Sequence, residues 1–292
     1  MIAATVRRVV PLVAVSMAVL TGGSATRAGT VFYSSDFNTI SGWYGQMDPA
    51  NGSGGTIQTA TSSTPFVVGG ASMGPYILST FYPTTLVAPA FATTTPEVWI
   101  GFLVRNESGA PWITGVSVDS GTNNQQVQYD GPWVGGIGSA AGTLQMTLTN
   151  GPYTSYAPNS YQLVTGSAIA VLSRFYDSNN SGIYDTADLW VQSNLSAPLF
   201  QTLTSSNALN YGFSLGGGDI GAIRSLRLGG GEGGEQAFDN LVMASTSADA
   251  IAFLSTGVGV PEIDPAGLGG VAALVTGALG LIERRRPKAK SA

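Results

Sequence analysis

The 292-residue chain contains no cysteine and no histidine. Without cysteine no disulfide can form in any compartment, so stability has to come from buried apolar surface or bound ions. Without histidine, Ser–His–Asp and Cys–His nucleophilic systems and imidazole-held zinc or copper are excluded. Between residues 29 and 260 lysine is also absent. The basic residues there are Arg105, Arg174, Arg224 and Arg227, against fourteen acidic ones, a balance of −10. The whole-chain charge of −5 conceals this, because the remaining basic residues sit at the two ends. So acidic a body repels phosphate backbones and argues against nucleic acid as a partner; it suits divalent cations or neutral glycans.

The ends read as export signals. Residues 1–28 carry Arg7 and Arg8, an apolar run over 9–20 interrupted by Pro11, and small residues up to Ala28. That is the order of a cleaved secretory leader. Residues 266–282 form an uncharged apolar run, about 25 Å long as a helix, at the short limit for crossing a bilayer. Glu262 and Asp264 precede it and five basic residues follow it. Positive residues stay on the cytoplasmic side, so the expectation is a single transmembrane helix that holds the body at the cell envelope, cell surface or extracellular matrix.

Val260-Pro261-Glu262, the apolar span and Arg284-Arg285-Arg286 together resemble the PEP-CTERM sorting signal of bacteria that make extracellular polysaccharide. Ile263-Asp264 stand where a second proline usually follows, so the tail looks like the PEIDPAG-type variant. The resemblance implies an exosortase as processing partner and a membrane attachment through the C-terminal helix before processing.

Between the signals, Gly, Ser, Thr and Asn are abundant and β-branched and aromatic residues come in short clusters. Strand-type runs recur over 31–37, 56–61, 65–68, 76–82, 97–105, 113–118, 125–129 and 143–149. They continue over 161–176, 188–192, 209–215, 220–228 and 236–244. Gly, Pro or Asn separates nearly all of them, and no stretch before residue 266 shows a helical period. Many short strands predict an all-β antiparallel sandwich over residues 29–246. The nearly unbroken apolar run 98–104 predicts a central strand covered on both faces. Residues 247–259 read as a tether and 260–292 as the sorting tail.

The landmarks Ser35-Asp36-Phe37, Trp99-Ile100-Gly101-Phe102-Leu103-Val104, Thr186-Ala187-Asp188-Leu189-Trp190-Val191 and Phe238-Asp239-Asn240-Leu241-Val242-Met243 follow one another in this order. Their succession resembles the concanavalin-A-like jelly roll of the lectin, glucanase and laminin-G-like group.

One window carries ligand chemistry. Asp177, Asn179, Ser181, Ile183, Asp185 and Asp188 fall at calcium-loop positions 1, 3, 5, 7, 9 and 12, with Gly182 at position 6. A hard cation needs six to eight oxygens, and glycine allows the sharp turn that aims alternate side chains inward. Asp188 is shorter than the usual bidentate Glu and the flanks read as strands, so this would be a hairpin version of modest affinity, about 10⁻⁴ M. Asp, Asn, Ser and Gly are equally the residues of a plain turn.

Catalysis has little to draw on. A retaining glucanase needs two carboxylates about 5 Å apart, and no Glu-x-Asp-x-Glu string exists; Glu232-Gly233-Gly234-Glu235 is the nearest pair. Trp43, Tyr44 and Trp133 lie in Gly/Pro contexts as candidate glycan contacts, although aromatics also fill sandwich cores. The residues therefore point to a non-catalytic structural or adhesive β-sandwich, glycan-binding, with calcium as the one cofactor. A divergent glycoside hydrolase of the same fold is the alternative.

Overall fold

The computed structural model describes residues 29–37, 44–47, 57–60, 65–73, 76–79, 84–87, 93–111, 113–119, 131–134, 142–150, 153–215, 220–231 and 233–257. In chain order the strands are β1 (Val31–Ser35), β2 (Tyr44–Met47), β3 (Ile57–Ala60), β4 (Val67–Val68), β5 (Ala71–Ser72), β6 (Tyr76–Ser79) and β7 (Thr84–Val87). Next come β8 (Glu97–Gly109), β9 (Ile113–Asp119), β10 (Gly131–Val134), β11 (Thr143–Leu144), β12 (Met146–Asn150) and β13 (Tyr153–Tyr156). Last are β14 (Tyr161–Gln162), β15 (Ala168–Tyr176), β16 (Thr186–Gln192), β17 (Asn210–Ser214), β18 (Ser225–Gly231) and β19 (Gly234–Ala244), followed by helix α1 (Ser247–Thr256).

Two sheets face each other. One runs β17-β16-β15-β8-β19-β6-β3, with β1 also paired to β19; the other runs β13-β12-β10-β9-β18-β7-β2. Every pairing between these strands is antiparallel. The chain passes from one sheet to the other repeatedly, at β1–β2, β2–β3, β6–β7, β7–β8, β8–β9, β17–β18 and β18–β19 among others, which gives the arrangement its jelly-roll character. The expected strand over 161–176 is two, β14 and β15, because the chain turns between them through Gly166 at φ 77°. The run expected over 125–129 lies outside the described residues.

β8 is buried on both faces, as its apolar run requires. Val98, Ile100, Phe102 and Val104 enter the core between the sheets, with Val116, Val118, Leu226, Leu228, Phe238 and Met243. Trp99 and Leu103 point the opposite way, into a second core with Leu172, Trp190 and Val242. That outer core is closed by α1 and by Phe66, Met73, Leu195 and Phe200 from the segments beside it.

The helix corrects the tether expected over 247–259. Thr246 caps its start by accepting the Asp249 N–H at 3.2 Å, and the Asp249 carboxylate bonds back to the Thr246 hydroxyl. Gly257 ends it in the left-handed region, its N–H reaching the Phe253 carbonyl at 2.7 Å. Ala250, Phe253 and Leu254, at i, i+3 and i+4, form the buried stripe. Burying Phe253 and Leu254 contributes about 3–6 kcal/mol, enough to order a segment whose composition looks like a linker.

The expected transmembrane helix is also corrected. No helix among the described residues is long and apolar enough to cross a membrane; α1, with ten residues, spans only about 15 Å. Residues 266–282, and the leader 1–28, lie outside the described residues.

Gly101 is fitted to this packing: a Cβ there would stand 2.7 Å from Leu254 Cδ1. Gly101→Ala is expected to destabilise the fold by about 1–3 kcal/mol through overpacking. Combining it with Leu254→Ala should cost less than the sum of the two single changes. Urea unfolding of the three variants measures the coupling.

Candidate functional site

The hairpin between β15 and β16 holds the candidate cation ligands at its tip. Asp177 Oδ1 accepts the backbone N–H of Ser181 at 2.9 Å and of Asn179 at 3.3 Å, and Oδ2 accepts that of Gly182 at 2.6 Å. Asn179 Oδ1 takes the same Ser181 N–H at 2.9 Å. Asp185 accepts the Ser178 N–H and the Ser178 and Thr186 hydroxyls, each at 2.9 Å. Asn180 at φ 58° and Gly182 at φ 82° make the bend possible. These side chains close a turn upon itself.

The titration of the two carboxyls reflects that role. Desolvation alone would raise Asp177, but the N–H groups of Gly182, Ser181 and Asn179 hold it below the usual carboxylate range. Asp185 is lowered by the Ser178 N–H, against a smaller opposing effect of desolvation.

Asp188 does not join them. It is fully buried on the outer face of its sheet, where Arg174 Nε and Nη2 donate to its Oδ2 at 2.9 and 2.5 Å. The Gly212 N–H reaches its Oδ1 at 2.7 Å. The same guanidinium lies 4.2 Å from the Tyr176 ring centroid and 3.8 Å from Glu97. The expected twelfth position of a cation loop is thus one half of a buried ion pair. Among the described residues, no group of three or more acidic side chains is placed to hold a metal.

The seven-stranded sheet unites candidates that the sequence listed separately only as aromatics in loops. Tyr44 pairs with Val87, Val87 with Arg227 and Arg227 with Ser117; Ser117 pairs with Trp133, Trp133 with Thr147 and Thr147 with Tyr156. Directly paired residues share a face, and the alternating positions Val116, Val118, Leu226, Leu228 and Met146 enter the core. Ser117, Thr147 and Tyr156 therefore lie on the face away from the core, and register sets the backbone positions of Tyr44, Arg227 and Trp133 in the same transverse row. Ser117 and Thr147 are buried and Tyr156 is 41 % exposed, so the row runs from a covered centre to an open edge. Trp43 lies outside the described residues.

Arg227 was missed as a neighbour of Tyr44 and Trp133 in this row. Only strand register joins them, and single-sequence patterns do not carry register between distant strands.

Among the described residues, clefts of about 350 and 330 Å³ open on the surface. The first is lined by Trp190, Gln192, Phe200 and Asn207 without any carboxylate, and the second contains one, Asp177, beside Thr93 and Tyr184. Glu235 accepts the Ser108 hydroxyl at 3.3 Å; Glu232 lies outside the described residues.

No family model and no curated protein matches the chain. In structure it is similar to the globular domain of T. cruzi calreticulin, at 9 % identity and a TM-score of 0.50, over 78 % of this chain and 94 % of that one. It is also similar to Domain 4 of AbnA, a GH43 extracellular arabinanase from Geobacillus stearothermophilus, solved in complex with arabinotriose. There the identity is 11 % and the TM-score 0.48, over 78 % and 100 % of the two chains. The fold is a jelly-roll β-sandwich.

The comparisons correct the sorting expectation. With no family model matching and no described helix able to span a bilayer, exosortase as a partner and anchoring by a C-terminal helix are withdrawn. Val260, Pro261, Glu262, Arg284, Arg285 and Arg286 lie outside the described residues.

Arg174→Met removes the only cation against Asp188 among the described ion pairs. It is expected to cost about 3–5 kcal/mol, the penalty of an uncompensated buried charge. Asp188→Asn in the same background should recover part of the loss, as read by denaturant unfolding.

Proposed function

We propose that the chain is an extracellular, non-catalytic β-sandwich that binds glycan along the outer face of its seven-stranded sheet. The observation that carries this reading is the strand register that sets Tyr44, Arg227, Trp133 and the exposed Tyr156 in one transverse row of that sheet. The outer face of the other sheet is filled by α1 and its neighbours, whereas this row opens to solvent at Tyr156. Aromatic rings offer flat apolar faces with polar rims, and a guanidinium supplies donors to hydroxyl oxygens. The strongly acidic body favours a neutral sugar over an acidic one. The extracellular setting is supported by the leader pattern in residues 1–28.

The non-catalytic part is supported by the commitments of the carboxylates: Asp177 and Asp185 close a turn, Asp188 pairs with Arg174, and Glu107 pairs with Arg105. A glycoside hydrolase would instead present two carboxyl groups about 5–9 Å apart across a groove.

Binding to a panel of neutral and acidic polysaccharides tests the reading. Tyr156→Ala and Trp133→Ala are each expected to weaken retention of a neutral glycan about tenfold, equivalent to about 1.4 kcal/mol, with the unfolding midpoint of Tyr156→Ala nearly unchanged. A blank panel would overturn glycan binding, and release of reducing ends during incubation would overturn the non-catalytic assignment.

A further inference from the structure

β19 is lined by β8 along one edge and by two strands, end to end, along the other. β6 pairs with residues 236–238 and β1 with residues 241–244. Asp239 and Asn240 fall in the gap between them. The pairing with β8 slips at the same point: Asp239 stands opposite Leu103 and Val242 opposite Gly101, so β19 carries one extra residue there. Asn240 absorbs it at φ 48°, and its side-chain amide donates to the Leu254 carbonyl of α1 at 3.1 Å.

Asp239 is fully buried at this bulge. Its Oδ1 accepts the Asn240 N–H at 2.8 Å, while its Oδ2 has no hydrogen-bond partner. Among the described residues no ion pair reaches it. A second negative charge, Asp36, acts on it from the end of β1. The register brings Asp36 there, since Ser35 pairs with Leu241.

Such an arrangement is costly unless something resolves it. A proton on Oδ2 would turn an orphan acceptor into an orphan donor. A buried water would satisfy the oxygen and leave two like charges facing each other. A cation meets both deficits. With neither His nor Cys in the chain, the donors are oxygens alone, which select a hard ion. Two carboxylates match a divalent charge, and the irregular backbone suits the flexible coordination of calcium better than the strict octahedron of magnesium.

We propose that Asp36 and Asp239 are the carboxylate ligands of a calcium-type divalent cation at the junction of β1 and β19. Main-chain carbonyls of the bulge and water complete its oxygen shell. The ion ties the first strand of the sandwich to the last and, through Asn240, to α1. This site stands apart from the glycan face and from the hairpin at Asp177, so either can fail without it.

The test is calcium titration of the chelator-treated chain, followed by calorimetry and thermal unfolding. One site is expected, with the unfolding midpoint raised by about 5 °C or more at a hundredfold excess over Kd. Asp239→Asn keeps the shape and removes the charge. It should lose at least about a hundredfold in affinity, yet unfold in chelator at or above the temperature of the chelated native chain. Asp36→Asn should weaken binding in the same direction, whereas Asp177→Ala with Asp185→Ala should leave the response intact. The proposal is overturned by absent heat and midpoint shift at millimolar calcium, by a response that survives Asp239→Asn, or by one that the hairpin double variant abolishes. A response to magnesium alone would overturn the calcium assignment.

Discussion

The pairing of β8 with β19 is the constraint on which the remaining structure depends. Both strands are buried along most of their length, and each feeds side chains to two cores at once. A strand covered on both faces leaves nothing on its own sheet for an extended ligand. The outer face of the eight-stranded sheet is therefore spent on α1 and on aromatic packing such as the stacked Trp99 and Trp190, 5.7 Å apart. In the other sheet, register sets Tyr44, Arg227, Trp133 and Tyr156 in one transverse row, whose described positions run from the buried Ser117 and Thr147 to the exposed Tyr156 at the edge.

A second economy concerns charge. In a body with so few cations, most described carboxylates have a structural partner: Glu107 takes Arg105, Asp188 takes Arg174, Asp249 caps α1, and Asp177 with Asp185 close the hairpin. The residues that make a good calcium loop also make a good turn, because both need oxygens converging on one point. In the hairpin the backbone N–H groups occupy that point. At the bulge of β19 they do not, and Asp239 is left with an oxygen facing no donor. The chemistry expected of one loop is thus better matched by two residues 203 positions apart in Asp36 and Asp239.

Much of the sandwich was legible in the residues. The strand-type run over 236–244 and the unbroken apolar run of β8 foretold strands, and burial of β8 on both faces follows from the latter run. Strands β2, β7, β10 and β13 were not anticipated, since their Gly, Pro, Ser and Thr content matches that of connecting segments. α1 was hidden in the same way. Its cap Thr246, its stripe Ala250, Phe253 and Leu254, and its stop Gly257 were all present, but Ser, Thr, Ala and Gly are also the residues of a tether. Only packing of that short stripe on the outer core, with Leu254 seated over Gly101, turns it into a stable helix.

The amino-acid sequence alone determined the antiparallel β class, the acidic body and the exclusion of histidine and cysteine chemistry, because composition and two-residue alternation are local properties. The tertiary structure decided which oxygen meets which donor and which aromatics share a face. Those outcomes depend on register between strands far apart in the chain, and a shift of one residue would send every side chain to the opposite face.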